Sequence, residues 1–366
     1  MYTDRTALVT TTIFVPTLLD SYAQDARKYG RDIVFIVVGD KKTPPETATY
    51  CEDLAKRSGF PVEYFSPERQ EEYLSRFPEL REHIQWNCIM RRNIGILFAY
   101  ESGCPWLATI DDDNFLATED YLGGHGIGTE QEITEVTSST GWINVCALLE
   151  EAHGRTFYHR GFPLEKRIPE VWTESKKRAA PVASAGLWLG DPDVDALERL
   201  YHLTEPTDAT KLLRADRVSP APGTWTPFNS QNTALAREVI PAYFLSPKVG
   251  RYDDIWASYV VKKITDRLGG FIAYGQPMVR QERNPHNYWR DLDMERYGHA
   301  LTLQFVETLA SLPLSGTDYR TCYAELADAL PAALLSNEKL KEDERAFIEG
   351  YATGMRIWRD VFATIS

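Results

Sequence analysis

Six apolar residues in a row, Ile33-Val34-Phe35-Ile36-Val37-Val38, stand between Asp32 and the pair Gly39-Asp40. The run shows no polar alternation, so a strand built from it hides both of its faces. Strands of that kind belong to parallel sheets covered by helices on both sides. The run is also far below the ~20 residues that cross a bilayer, so no membrane span is expected.

The neighbouring segments fit a parallel sheet. "ALVTTTIFVP" (7–16) is β-branched and stops at Pro16. "KKTPPETATYCEDLAKRSG" (41–59) reads as a Pro-rich turn and a helix closed by Gly59, and "FPVEYFS" (60–66) as a short third strand. In "WNCIMRRNIGILFAYESG" (86–103), Met90, Ile94, Leu97 and Phe98 form one apolar helix face that ends at Gly103. With that face inward, at least one of Arg91 and Arg92 is expected on the surface. "PWLATI" (105–110) returns as a strand. Alternating β and α segments predict a doubly wound, mostly parallel α/β sheet of nucleotide-binding type.

The last of these strands runs into Asp111-Asp112-Asp113-Asn114. Neighbouring carboxylates repel one another. At the C-terminal edge of an open α/β sheet, where ligands bind, a divalent cation makes the crowding tolerable. Hard cations such as Mn²⁺ or Mg²⁺ take oxygen ligands, share them with phosphates and screen a diphosphate. A solvated acidic turn is the plain alternative.

Beyond this point "WINVCALLE" (142–150) and "SAGLWLG" (184–190) read as strands. "GTWTPFNSQNTALAREVIPAYF" (223–244) reads as a polar loop turning helical near Ala234. Residues 251–270 form a helix with Trp256, Val260, Ile264 and Leu268 on one face. Further helices follow. In the last, Phe347, Tyr351, Met355, Trp358 and Phe362 make a stripe that packs on the core or on a partner. The expected division is a catalytic domain over 1–300 and a helical extension over 301–366.

The net charge of −13, with no block of Lys or Arg, argues against a nucleic-acid partner. The five cysteines are an odd number, widely spaced and without a CxxC pair. Residues 1–20 lack the pattern of a secretory leader. Reduced thiols and a cytoplasmic location are expected.

The segments "RGFPLEKR" (160–167), "SAGLWLG" (184–190), "NSQNTALAREV" (229–239) and "YDDIWASYVVKKITDRLG" (252–269) carry a resemblance. They stand in the order found in the reversibly glycosylated polypeptides, the UDP-arabinopyranose mutase family. The strand with its acids resembles the DxD signature of GT-A fold glycosyltransferases. The resemblance implies a GT-A domain that binds a UDP-sugar with Mn²⁺ or Mg²⁺. It gives Asp111, Asp112 and Asp113 the metal and diphosphate, with Asp111 and Asp113 chosen for metal and ribose contacts. Arg160 matches the family's self-glycosylated arginine and Arg167 its second arginine. From chemistry alone Arg160 suits a bidentate phosphate clamp, a covalent sugar carrier or a structural ion pair.

"YDDIW" stands where the family has Glu-Asp-Ile-Trp. Asp253 and Asp254 either cap the following helix or supply a general base, with Asp254 preferred as the base. His286, absent from the mutase pattern, suits a further metal ligand or a structural role. By the same resemblance Arg92 or Asn93 reaches the nucleotide. Asp40 holds uracil or ribose, or simply makes a turn.

The leading expectation is a metal-dependent glycosyltransferase with a UDP-sugar donor and an unknown acceptor. The alternative is a UDP-sugar pyranose–furanose mutase. A non-catalytic scaffold is the third reading, and its mark would be a broken acidic triplet. The C-terminal helices leave homo-oligomerisation open.

Overall fold

The computed structural model describes residues 1–284 and 286–365. The chain opens with β1 (Thr6–Thr11), α1 (Leu19–Lys28), β2 (Ile33–Val38), α2 (Glu46–Ser58) and β3 (Val62–Phe65). β2 is buried at every residue, as its unbroken apolar run requires. α3 (Arg92–Glu101) and β4 (Trp106–Ile110) complete a parallel block in the order β3-β2-β1-β4. The α/β class read from the sequence is the class found. Thr11 lies opposite Val38 and Thr10 opposite Ile110. Thr12, Gly39 and Asp111, the next residues along, therefore reach the same C-terminal edge.

The second half makes the sheet mixed. It contains β5 (Gln131–Ser138), β6 (Trp172–Ala179), β7 (Ala183–Gly190), β8 (Asn232–Ala236), α4 (Asp253–Leu268) and β9 (Ile272–Gln281). β8 runs antiparallel to both β4 and β7, with Asn232 opposite Ile110. β9 runs parallel to β7, with Gln281 opposite Gly190. β5 and β6 pair antiparallel at the far end of a 13-stranded sheet. β8 enters where β4 leaves, so Asn229–Gln231 flank Asp111. β7 and β9 leave at that same edge and bring Asp193 and Arg283 with them.

Several expectations are corrected here. Residues 232–236 form a central strand, and only then does a 3₁₀ turn follow, Arg237–Ala242. Helix propensity in "TALA" yields to pairing on both sides of the strand. In 142–150 the regular pieces are a 3₁₀ turn, Val145–Leu148, and the start of a short strand, Leu149–Glu151. α3 begins only at Arg92, after a 3₁₀ turn over Ile89–Arg91. Arg91 and Arg92 are both buried, at 1% and 0% exposure, so neither is the expected surface residue. The outer side of α3 is covered as well, since Tyr100 meets Phe362 edge-on at 4.9 Å.

α5 (Tyr288–Ser311), α6 (Tyr319–Leu335) and α7 (Glu342–Thr364) close the chain. α5 runs unbroken through residue 300. The stripe on α7 turns toward its own chain. Trp358 stacks on Phe244 at 5.1 Å, and its Nε1–H donates to the Pro241 carbonyl at 3.1 Å. Trp256 of α4 stacks on Phe305 of α5 at 4.1 Å. One apolar cluster runs from β1 to α7. Among the described residues no helix is long and apolar enough to cross a membrane.

Candidate active site

Two pockets adjoin at the C-terminal edge of the sheet. The first, about 280 Å³, opens over the ends of β1 and β2 and is lined by Thr12, Gly39, Asp40 and Asp112. The second, about 420 Å³, is lined by Asp111, Arg160, Ser230, Asp253, Asp254 and Arg283. Asn87, Cys88 and Ile89 border both. The acidic triplet thus straddles the junction, with Asp112 on one side and Asp111 on the other.

The wall between the pockets is braced by Asp40. Its carboxylate accepts the Asn87 N–H at 2.9 and 3.0 Å and the Lys41 N–H at 2.6 Å. Asn87 sits in the left-handed region at φ 58°, a conformation that asparagine tolerates better than most residues. Arg91 lies 3.4 Å beneath the Trp86 ring and donates to Gln70 at 2.5 Å.

Each acid of the triplet is held differently. Asp111 accepts from Arg92 at 2.5 Å, and Arg92 also donates to the Ser230 carbonyl and hydroxyl at 2.9 and 2.7 Å. Asp112 accepts the Thr12 hydroxyl at 2.7 Å, yet burial pushes its carboxyl upward. Asp113 accepts the Gln281 amide at 3.0 Å. Burial, and then the charge of Asp111, push Asp113 up to about 7. Of the three acids, only Asp111 is paired with an arginine among the described residues. That donor set fits a hard divalent cation held by one or two carboxylates and completed by phosphate oxygens. Asp111, Asp113 and His286 do not bring three ligand atoms within 4.8 Å of one another. His286 is exposed, with Nδ1 2.9 Å from Asp291 on the first turn of α5.

Among the described residues one such convergence exists, Asp195, Glu295 and His299. Its carboxylates are already committed. Asp195 caps Glu198 N–H and pairs with Arg167, while Glu295 accepts Ala196 N–H and Arg251. Arg167 is thereby tied to a structural cluster and lines neither pocket. Asn93 also lies outside both linings. Its amide bridges the Met90 and Leu245 carbonyls at 2.8 and 2.7 Å and fixes the backbone behind the cleft.

Arg160 is saturated. Its Nε and Nη2 grip Asp193 at 2.9 Å each, and Nη1 and Nη2 reach Asp254 at 3.2 Å. Nη1 also donates to the Arg251 carbonyl. The arrangement observed is the ion pair, the third of the roles open to this arginine. Burial would raise the Asp193 carboxyl, but Arg160 holds it well below the usual carboxylate range. The adjacent Gly161, at φ 83°, allows the close approach, since a Cβ there would lie 2.2 Å from Ile255 Cγ2 on α4.

The two acids opening α4 divide their tasks. Asp254 accepts Arg160 and the Ser230 N–H at 3.0 Å. Asp253 is 5% exposed and makes no side-chain hydrogen bond among the described residues. Burial, and then the charge of Asp254, push its carboxyl up to about 8. Sequence reasoning missed Asp193, Gln231 and Gln281. A run of buried contacts through Asn229 links Asp193 to Gln231, and Gln231 donates to Gln281, which holds Asp113.

A sequence model of the family described as reversibly glycosylated polypeptide matches residues 4–366. UDP-arabinopyranose mutase 3 of Arabidopsis thaliana is 30% identical over 271 residues, 71% of this chain and 68% of that protein. A probable UDP-arabinopyranose mutase 2 of Solanum tuberosum is 31% identical over 232 residues, 61% of this chain and 59% of its own length. Among solved structures, the mannosyltransferase PcManGT from Pyrobaculum calidifontis, in complex with GDP-Man and Mn²⁺, aligns with 12% identity and a TM-score of 0.38, covering 99% of this chain and 87% of that one.

Proposed function

The chain belongs to the reversibly glycosylated polypeptide family, and from that premise we propose that it binds a UDP-sugar across the paired pockets and interconverts the sugar's pyranose and furanose rings. The observation that carries this reading is the acidic triplet at the junction of two adjoining pockets. The nucleoside lies over Asp40 and Thr12, the sugar lies between Arg160 and Asp253, and the diphosphate crosses at Asp111–Asp113. Mn²⁺ or Mg²⁺ held by Asp111 and Asp113 would neutralise the departing diphosphate.

The bond between the anomeric carbon and the diphosphate breaks, and its electron pair leaves with UDP. A different sugar hydroxyl oxygen then bonds to the anomeric carbon, the bond from that carbon to the former ring oxygen breaks, and UDP returns to the anomeric carbon. One hydroxyl loses a proton and the former ring oxygen gains one, so no net proton is consumed. Asp253 supplies that exchange. It faces the sugar pocket, forms no ion pair among the described residues and changes protonation near neutral pH. Asp254, held by Arg160 and Ser230, positions its neighbour.

The test incubates purified chain with Mn²⁺ and a panel of UDP-sugars, without acceptor, and separates the nucleotide products by anion exchange. A new UDP-sugar isomer from one donor is expected. UDP release without an isomer would replace the mutase by a transferase that needs an acceptor. No product from any donor would overturn the enzymatic reading.

A further inference from the structure

We propose that Arg283 receives the diphosphate of the bound nucleotide-sugar. The inference rests on the nucleotide-sugar reading above and assigns a residue to it.

Cations in the sugar-side pocket differ in how much hydrogen-bonding capacity they retain. All three nitrogens of Arg160 already donate to protein oxygens. Arg251 is engaged by Glu295 at 2.9 Å. Arg283 lines the same pocket, its side chain is only 8% exposed, and its guanidinium makes no hydrogen bond among the described residues. Nε and Nη2 are buried without a partner. The nearest carboxylates are Asp191 at 3.4 Å and Asp193 at 4.0 Å, and neither approach has hydrogen-bond geometry. Both acids serve other arginines, since Arg199 holds Asp191 at 2.6 Å and Arg160 holds Asp193 at 2.9 Å.

A buried guanidinium whose N–H groups lack hydrogen-bond acceptors among the described residues is an expensive arrangement unless a ligand completes it. Burial, and then the nearby charge of Arg199, push Arg283 downward from its ordinary range, against the opposing charges of Asp191 and Asp193. Arg283 follows β9 by two residues, beside Gln281, which holds Asp113. A phosphate group crossing the junction of the pockets brings the missing acceptors. Guanidinium and phosphate match in geometry as well as charge, with paired N–H donors facing paired oxygens. A neutral sugar hydroxyl would offer an acceptor but no matching charge.

The test measures binding of UDP and of uridine by calorimetry at fixed Mg²⁺, for the wild type, Arg283→Met and Arg283→Lys. For Arg283→Met we expect UDP affinity to fall about tenfold or more, the loss of one charge-assisted hydrogen bond, with uridine affinity unchanged. Arg283→Lys should fall between, because it keeps the charge and loses the planar fork. Unchanged UDP affinity in both variants would overturn the proposal. An equal loss for UDP and uridine in both variants would also overturn it, by making Arg283 a purely structural residue. A wild type that binds neither ligand would sink the nucleotide reading itself, and this proposal with it.

Discussion

Asp113, half-buried, and Asp253, buried, both hold their protons toward neutral pH, and they yield different predictions. Asp113 is crowded by Asp111 and reaches about 7. In the proposed cation site, loss of its carboxylate takes away one ligand without opening the core. Asp113→Ala is predicted to cut cation-dependent turnover of a UDP-sugar by about a hundredfold or more, because charge neutralisation of the leaving diphosphate contributes several kcal/mol. Circular dichroism should show the fold intact, and full activity in Asp113→Ala would remove the acid from the metal site.

Asp253 bears on stability as well. In the unfolded chain an aspartate ionises near about 3.9. In the fold Asp253 keeps its proton up to about 8. Between those values the unfolded state binds fewer protons, so the residue's contribution to stability falls as pH rises through the window. Asp253→Asn is predicted to melt like the wild type near pH 4 and to be more stable above pH 8, by on the order of a few kcal/mol. Parallel melting curves across that range would show that Asp253 ionises normally. At this scale the triplet was legible because its acids are contiguous and follow an apolar strand. Arg283 was not. Arg280, Arg283 and Arg290 look alike in the sequence, and only packing hides the side chain of the middle one, 8% exposed.

At the scale of elements, the parallel block was legible and the second half much less so. β2 needs no context, because six apolar residues in extended form can only be buried. "NTALA" does need context, since its small residues suit a strand hemmed in by β4 and β7 but read locally as helix. The seating of α3 depends on one small residue. A Cβ on Gly95 would lie 2.6 Å from Val9 Cγ1 and 3.1 Å from Val38 Cγ2, so the helix rests directly on β1 and β2. Gly95→Ala is predicted to destabilise the chain by about 1–3 kcal/mol through overpacking. Urea unfolding reads this as a lower midpoint at unchanged slope. An unchanged midpoint would mean that α3 can lift without penalty.

Across the whole molecule, the C-terminal helices act on the cleft through a short chain of contacts. Trp358 on α7 stacks on Phe244 and donates to the Pro241 carbonyl. The next residue, Leu245, exchanges hydrogen bonds with the Asn93 amide at 2.7 and 3.0 Å. Asn93 in turn holds the Met90 carbonyl, at the end of the 86–90 segment that borders the second pocket. A stripe of aromatic residues on a terminal helix gives no hint of this, because spacing reveals a buried face and not its partner. Trp358→Ala leaves a cavity and orphans a buried carbonyl, and it is predicted to cost about 3–5 kcal/mol. Because one apolar cluster spans β1 to α7, the loss should lower a single cooperative unfolding transition. UDP affinity should weaken alongside, since the pocket wall loses its backing. A separate early transition, with the main one and UDP binding unmoved, would instead make the C-terminal helices an independent unit that merely leans on the catalytic sheet.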